Sequence, residues 1–507
     1  MRSTLVFLLI VLAGPAWPQE PAREKLNTEI ASAVFTTALE FIAPRALDPV
    51  SIQQLAAWGL RGITTLDPTL MPSLADGSVT LHRGPTILFQ RPAPAENSAE
   101  GWGLLITDLA VAAANASLAI QAEGGQAIIT SFFDEMFNHL DPYSRYVPPD
   151  AADADRAHRS GEAGAGLTLA RTRAGSFVVQ SVNADGPAAE AGIAAGDQII
   201  AVDDQPTRGE ELDTVLDWIT GLEGTDVTLT VRGRNGRVRK VDIERAVLPP
   251  ETVFTTRAGD AVLVRIAGFS ADTDQRFARD IQRQLARPGA ATIKGLIIDL
   301  RGNRGGLLRQ AVAATDILLD SGVIATTAGR NKQAEHEWKA SAGDMIKDKP
   351  IVVLVDGRSA SAAEIMAAAL EDQGRGVVVG SSTLGKGLVQ TITTLPDGGE
   401  LFVSWSRVLA PSGWPVQGLG VLPQVCTSLG EEKLAEQLSS LEGGVLLLAP
   451  ALRRHRNARA PLPGAEIVEQ RAACPASEGR DADLTTARWL LSHSVAYNAA
   501  LLTPPPP

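Results

Sequence analysis

The chain has 507 residues, 45% of them hydrophobic and 21% charged, the composition of a folded protein too long for one core. Its 58 acidic against 46 basic residues leave a formal net charge of −12, with no run of Lys and Arg. A nucleic-acid partner, which needs a basic face, is excluded on that ground.

The N-terminus reads MRSTLVFLLIVLAGPAWPQE: a basic Arg2, a short apolar stretch at residues 5–12, and small residues around Gly14-Pro15-Ala16. This predicts a secretory signal peptide over residues 1–18, too short to span a membrane. No cysteine follows it to carry a lipid. The expectation is a soluble, exported protein of the periplasm or another extracytoplasmic space.

Residues 19–150 read as mostly helical, interrupted by a strand-like SVTLHRGPTILFQ and a proline-rich loop. The apolar stretch 103–120 carries Asp108 and Asn115, which favours a buried helix over a membrane span. AAWGLRGITTLDP (56–68) and TSFFDEMFNHLDP (130–142) echo one another, each ending in Leu-Asp-Pro, where proline stops a helix. Duplication and coincidence explain that echo equally well.

Residues 160–247 form a second unit. GEAGAGLTLA leads into the alternating SFVVQSV, then GPAAEAGIAAGDQIIAVDDQPT, a helical GEELDTVLDWITGLE, and two strand patterns joined by Arg-Asn-Gly. These segments resemble a PDZ domain of the bacterial type. The resemblance implies a carboxylate-binding loop at Gly164, Ala165, Gly166 and Leu167. Glycine-rich backbone N–H groups make an anion nest, and the strand that follows can accept a peptide at its edge.

Residues 248–426 alternate strands and helices. GLIIDL and IVVLV are short apolar runs of the kind found in buried parallel strands, each followed by a turn and a helical pattern. Sites in such folds gather at the carboxyl ends of the strands. The tail, residues 427–507, reads as irregular apart from TTARWLLSHSVAYNAALL, and suggests no chemistry. Cys426 and Cys474, the only cysteines, are too few for a zinc site, and in an oxidising compartment they could staple the tail. His336-Glu337 lacks the second histidine of H-E-x-x-H.

The residues suited to chemistry lie in VDGRSASAAEI (355–365) and GSSTLGKGLVQ (380–390). Ser361 and Glu364 have the spacing of a helix capping box, which is reason enough for a serine there. A nucleophilic serine needs a base, yet the six histidines are scattered and no G-x-S-x-G elbow exists. Lys386 and Gln390 would share one strand face with Leu388. A lysine becomes a base only when desolvation pulls its pKa down, and arginine cannot take that role. Only nine of the 46 basic residues are lysines, although on spacing alone a solvated turn lysine is the plainer reading.

Together with DLRGNRGGLL (299–308), these two segments resemble the three signatures of the C-terminal processing peptidases, or tail-specific proteases. FNHLDPYSRYV (137–147) and VQGLGVLPQV (416–425) match flanking segments of that family, so the likeness spans about residues 120–426. It implies an α/β multidomain protein: a helical N-terminal region, a PDZ-like sheet-plus-helix domain, and an α/β serine-protease core. It implies Ser361 as nucleophile, Lys386 as general base and Gln390 as the residue orienting that lysine. The oxyanion hole would use the N–H of Ala362 and that of Gly305 or Gly306, between which the sequence does not choose. Ser359 is left as a turn residue, and Glu371 and Asp372 as structural. Arg304, Ala363, Trp405 and Trp414 depart from the family pattern and bear on substrate preference. No metal or organic cofactor is implied. The implied partners are polypeptides with free apolar C-termini, with room for an activator or adaptor protein. The rivals are a silent PDZ scaffold and an esterase or amidase for small molecules.

Overall fold

The computed structural model describes residues 25–504 except 161, 184–185, 249–250, 288–289, 342 and 348. The expected signal peptide therefore lies outside the described residues.

One unit holds residues 25–43, 50–148 and 395–397. Helix α1 (Thr28–Ile42) starts at Asn27, whose side-chain oxygen accepts the N–H groups of Glu29 and Ile30. With α2 (Ile52–Leu60), α3 (Gly62–Leu66), α4 (Ala99–Ala116) and α5 (Gly125–Phe137) it forms a helical cluster. The two echoing segments touch: Ser131 Oγ on α5 donates to Gly62 O at 2.7 Å. The single strand-like piece of the sequence is instead a meander of three strands, β1 (Leu70–Ala75), β2 (Ser78–Arg83) and β3 (Thr86–Pro92). Pro72 hid the first of them. It is tolerated because β1 is an edge strand, where one missing donor costs no ladder bond.

The second unit contains residues 149–394 and 398–504 together with 44–49. Its first part is an antiparallel sheet of β4 (Leu167–Arg171), β5 (Phe177–Val182), β6 (Gln198–Val202), β7 (Asp226–Arg232) and β8 (Val238–Glu244), with helix α6 (Leu212–Ile219) packed on it. The spatial order is β8-β7-β6-β5-β4, so β4 is an edge. Phe177, Val179, Ile199, Val215, Val227 and Leu229 fill its core.

Among the described residues the second part has ten strands: β9 (Val253–Ala258), β10 (Ala261–Ile266), β11 (Gly295–Asp299), β12 (Val323–Gly329), β13 (His336–Lys339), β14 (Ile351–Val355), β15 (Gly376–Gly380), β16 (Leu388–Thr394), β17 (Glu400–Leu409) and β18 (Val425–Cys426). One sheet runs β9-β10-β11-β14-β15-β18 and is parallel from β10 onward. In the other, β13-β12-β17-β16 are antiparallel neighbours. Helices α7 (Thr273–Ala286), α8 (Leu308–Asp316) and α9 (Ala362–Asp372) cover one face of the parallel sheet. β11, β14 and β15 are buried along their whole length, as parallel strands covered on both faces should be. Their carboxyl ends lie side by side and feed the loops 300–306, 356–361 and 381–387.

The tail departs most from the sequence reading. It folds into α10 (Glu431–Glu442), α11 (Ala449–Arg456), α12 (Gly464–Arg471), α13 (Asp481–Ser492) and α14 (Ser494–Ala500). A parallel sheet needs both faces covered, and the tail supplies the second. Leu441, Ala487, Leu490 and Tyr497 pack against Ile297, Val352, Leu354 and Val377. The Tyr497 hydroxyl also accepts from Ile351 N–H and donates to Ile351 O, both at 3.0 Å. Cys426 and Cys474 form a disulfide at the edge of this layer.

Candidate active site

Ser361 ends the loop after β14 and begins α9. Its φ of +57° is a conformation that costs a non-glycine residue about 1–3 kcal/mol, so its surroundings must hold it. The hold comes from Glu364. The Ser361 N–H donates to Glu364 Oε2 at 2.7 Å, which is one half of the expected capping box. The expected capping box between Ser361 and Glu364 is present at the start of α9.

Glu364 is fully buried. Its Oε2 also accepts the Lys386 N–H at 2.9 Å, while Oε1 accepts the Gly385 N–H at 2.6 Å and the Thr383 hydroxyl. One carboxylate oxygen thus joins the backbones of Ser361 and Lys386. Burial pushes this carboxyl above its ordinary value, and the four hydrogen bonds pull the other way. The sequence offered Glu364 only as a capping residue; its second role depends on a loop 19 to 22 residues further along.

Lys386 is half-buried and precedes the strand, since β16 starts at Leu388. A bulge between Val389 and Gln390 then breaks the alternation along β16. Lys386 thus stands just before β16, and Gln390 stands at its bulge. A Cβ on Gly387 would lie 2.2 Å from Gln417 N, so the segment 416–420 packs directly on the lysine loop. Ser359 is fully buried, with its Oγ donating to Leu300 O at 2.8 Å and accepting the Asp356 N–H at 3.0 Å. It is committed to the turn.

The loop 300–306 closes the other side. Asn303 is buried, donates through Nδ2 to Ile266 O and accepts the Gly305 N–H, both at 2.8 Å. Gly305 has φ +101°, and a Cβ there would stand 2.8 Å from Ser361 Cβ, so glycine is what lets the loop touch the serine. Ala362 is the first residue of α9, where a backbone N–H has no intrahelical acceptor. Arg304 is exposed.

At the far end of α9, Asp372 Oδ2 accepts from Ser412 N (2.9 Å), Ser412 Oγ (2.6 Å) and Trp414 Nε1 (3.1 Å), and Asp372 pairs with Arg456 at 2.9 Å. Trp414 is fully buried, so it packs the core rather than facing substrate. Glu371 is buried beside Asp372, and burial raises its pKa well above the ordinary carboxyl value.

In the antiparallel domain, Ala165 is buried and Gly166 has φ +76°. Ala165 O and Gly166 O are taken by Ala188 N–H and Asn183 N–H. Leu167, Leu212 and Leu216 are half-buried and packed on the domain core, on β4 and α6.

Comparison with known proteins agrees with these two parts. Residues 260–427 match peptidase family S41, and residues 178–233 match the PDZ domain. The pair defines a serine-type peptidase carrying a PDZ domain. A carboxy-terminal-processing protease of Bartonella bacilliformis is 35% identical over 336 residues, covering 65% of this chain and 75% of that protein. A carboxyl-terminal-processing protease of Picosynechococcus is 33% identical over 290 residues, or 56% and 69% of the two chains. Among solved structures, the photosystem II D1 C-terminal processing protease matches at 25% identity with a TM-score of 0.37, over 66% of this chain and 96% of its own. The chain belongs to the carboxy-terminal-processing proteases.

Proposed function

We propose that this protein is an exported endopeptidase that captures a polypeptide by its free apolar C-terminus and cleaves it with a Ser361–Lys386 dyad. The observation that carries the reading is the Glu364 oxygen that accepts both the Ser361 and Lys386 N–H groups, tying nucleophile and base to one point. Ser361 Oγ attacks the scissile carbonyl while Lys386 Nζ takes its proton, and Gln390 orients the lysine. The oxyanion is met by the N–H of Ala362 and, because Asn303 engages that of Gly305, by the N–H of Gly306. The lysine returns its proton to the leaving amine, and water then hydrolyses the acyl-enzyme.

The loop Gly164-Ala165-Gly166-Leu167 receives the substrate carboxylate, and the edge of β4 pairs with the residues before it. The half-buried Leu167, Leu212 and Leu216 suit an apolar terminal side chain. Export rests on the N-terminal sequence and is supported by the Cys426–Cys474 disulfide, which persists in oxidising compartments.

The test compares wild type with Ser361→Ala on an unfolded reporter ending in apolar residues, free or amidated. Cleavage by wild type alone, weakened by amidation, is expected. Equal cleavage of both reporters would sink carboxylate capture. No cleavage and no labelling of Ser361 by a fluorophosphonate would favour a binding scaffold.

A further inference from the structure

The tail touches the candidate site at every loop that forms it. Arg471, the last residue of α12, donates through one guanidinium nitrogen to Thr383 O at 2.8 Å and through another to Leu419 O at 2.6 Å. Thr383 in turn gives its hydroxyl to Glu364, which holds the Ser361 and Lys386 N–H groups. A short chain of bonds thus runs from the tail to both backbones of the dyad. The half-buried guanidinium also places a positive charge near the buried Glu364 carboxyl.

Three residues beyond Arg471, Cys474 is fixed to β18 by the disulfide. The chain then crosses the ends of β15, β14 and β11 in turn. Ser477 O accepts the Gly357 N–H at 2.7 Å and the Ser381 hydroxyl at 3.0 Å, and Ser477 N–H donates back to Ser381 Oγ at 3.0 Å. Gly479 N–H donates to Asp356 Oδ2 at 3.2 Å. Arg301 donates to Arg480 O at 2.8 Å and pairs with Asp483 at 3.2 Å. The base loop, the nucleophile loop and the oxyanion loop are each bonded to one strap.

We propose that the segment 471–483 is a clasp that sets the three loops in register, with Arg471 as its positioning residue and the Cys426–Cys474 bond as its anchor. This rests on the reading that Ser361 and Lys386 carry the reaction. The clasp has a functional consequence because Ser361 sits in a strained conformation that relaxes when its partners shift.

The test uses the full chain with Arg471→Met, Arg471→Lys and the pair Cys426→Ser/Cys474→Ser. The readouts are the fluorophosphonate labelling rate of Ser361, KM for the unfolded reporter, affinity of an apolar C-terminal peptide, and thermal unfolding. Arg471→Met is expected to slow labelling and kcat at least tenfold, with KM and peptide affinity within twofold of wild type. Arg471→Lys, which restores one of the carbonyl contacts, should recover part of the loss. The cysteine pair should fall between. Wild-type labelling rates in the folded variants would overturn the clasp while leaving the dyad intact. A wild-type protein that is never labelled overturns both readings. Should Arg471→Met lose its cooperative unfolding transition, the cysteine pair alone decides.

Discussion

Replacing Glu364 by glutamine changes one atom and should disarm the site. The carboxylate has two oxygens, and each accepts two donors: Thr383 Oγ1 and Gly385 N–H on Oε1, Ser361 N–H and Lys386 N–H on Oε2. An amide has one accepting oxygen and one NH2 group. The Thr383 and Gly385 bonds are buried, whereas those from Ser361 and Lys386 are only partly so. Turned one way, the NH2 faces the N–H groups of Ser361 and Lys386; turned the other, it faces the Gly385 N–H beside a Thr383 hydroxyl that can accept. One or two donors then face a donor, at about 1–3 kcal/mol each, or roughly 1–6 kcal/mol in all. Holding Ser361 in its positive-φ conformation costs about 1–3 kcal/mol, so this loss is enough to release it. If about 2.7 kcal/mol of it falls on the transition state, the rate drops about 100-fold. The assay is the labelling rate of Ser361 with urea unfolding measured alongside, and peptide binding to the PDZ domain as a control that should not move. Labelling of Glu364→Gln at the wild-type rate would refute the reasoning. Glu364→Asp, which keeps the charge but withdraws the oxygens by one methylene, should also be slow.

Further outcomes follow from the same geometry. Ser361→Gly and Ser361→Ala should both be inactive, but glycine should give the more stable protein by about 1 kcal/mol in urea, because only glycine is at ease at positive φ; equal stability would mean that the serine is not strained. The raised pKa of Glu364 means that the folded protein binds a proton there more readily than the unfolded chain does. Below the raised value, activity should fall as one acceptor is lost, yet this group's contribution to stability grows until the ordinary carboxyl value, 4.5, is passed. Acid should therefore switch off cleavage without this group promoting unfolding, read by labelling and circular dichroism across pH. His455 has the opposite sign: burial lowers its pKa from 6.5 to about 4, so the unfolded chain takes up the proton first. Stability should fall by roughly 3 kcal/mol as pH drops from 6.5 to 4, and His455→Gln, which keeps a donor for Gly420 O, should lose that slope in urea titrations.

How much of this was legible in the sequence depends on the range of the interaction involved. The parallel strands could be read from GLIIDL and IVVLV because burial on both faces leaves an unbroken apolar run, and the two loops after them followed from the strand-then-turn order. The serine and lysine segments stood out through ordered motifs. The tie between them did not, because it runs through the Glu364 carboxylate to backbone N–H groups of two separate loops. The proposed use of Gly306 rather than Gly305 rests on the side chain of Asn303, two residues from Gly305 along the chain but folded back onto the loop. The tail was the least legible part, for a physical reason. Its helices are short and carry few apolar residues, since each covers only a strip of a sheet already apolar by itself. Its polar contacts to the site are made largely by backbone atoms, as at Ser477, Gly479 and Arg480, which any sequence would supply. Arg471 gives no local sign of its purpose. It acquires one only when the fold sets it against the carbonyl of Thr383, 88 residues earlier in the chain. Positioning groups of this kind are chosen by the loops they hold, so they come into view after those loops do.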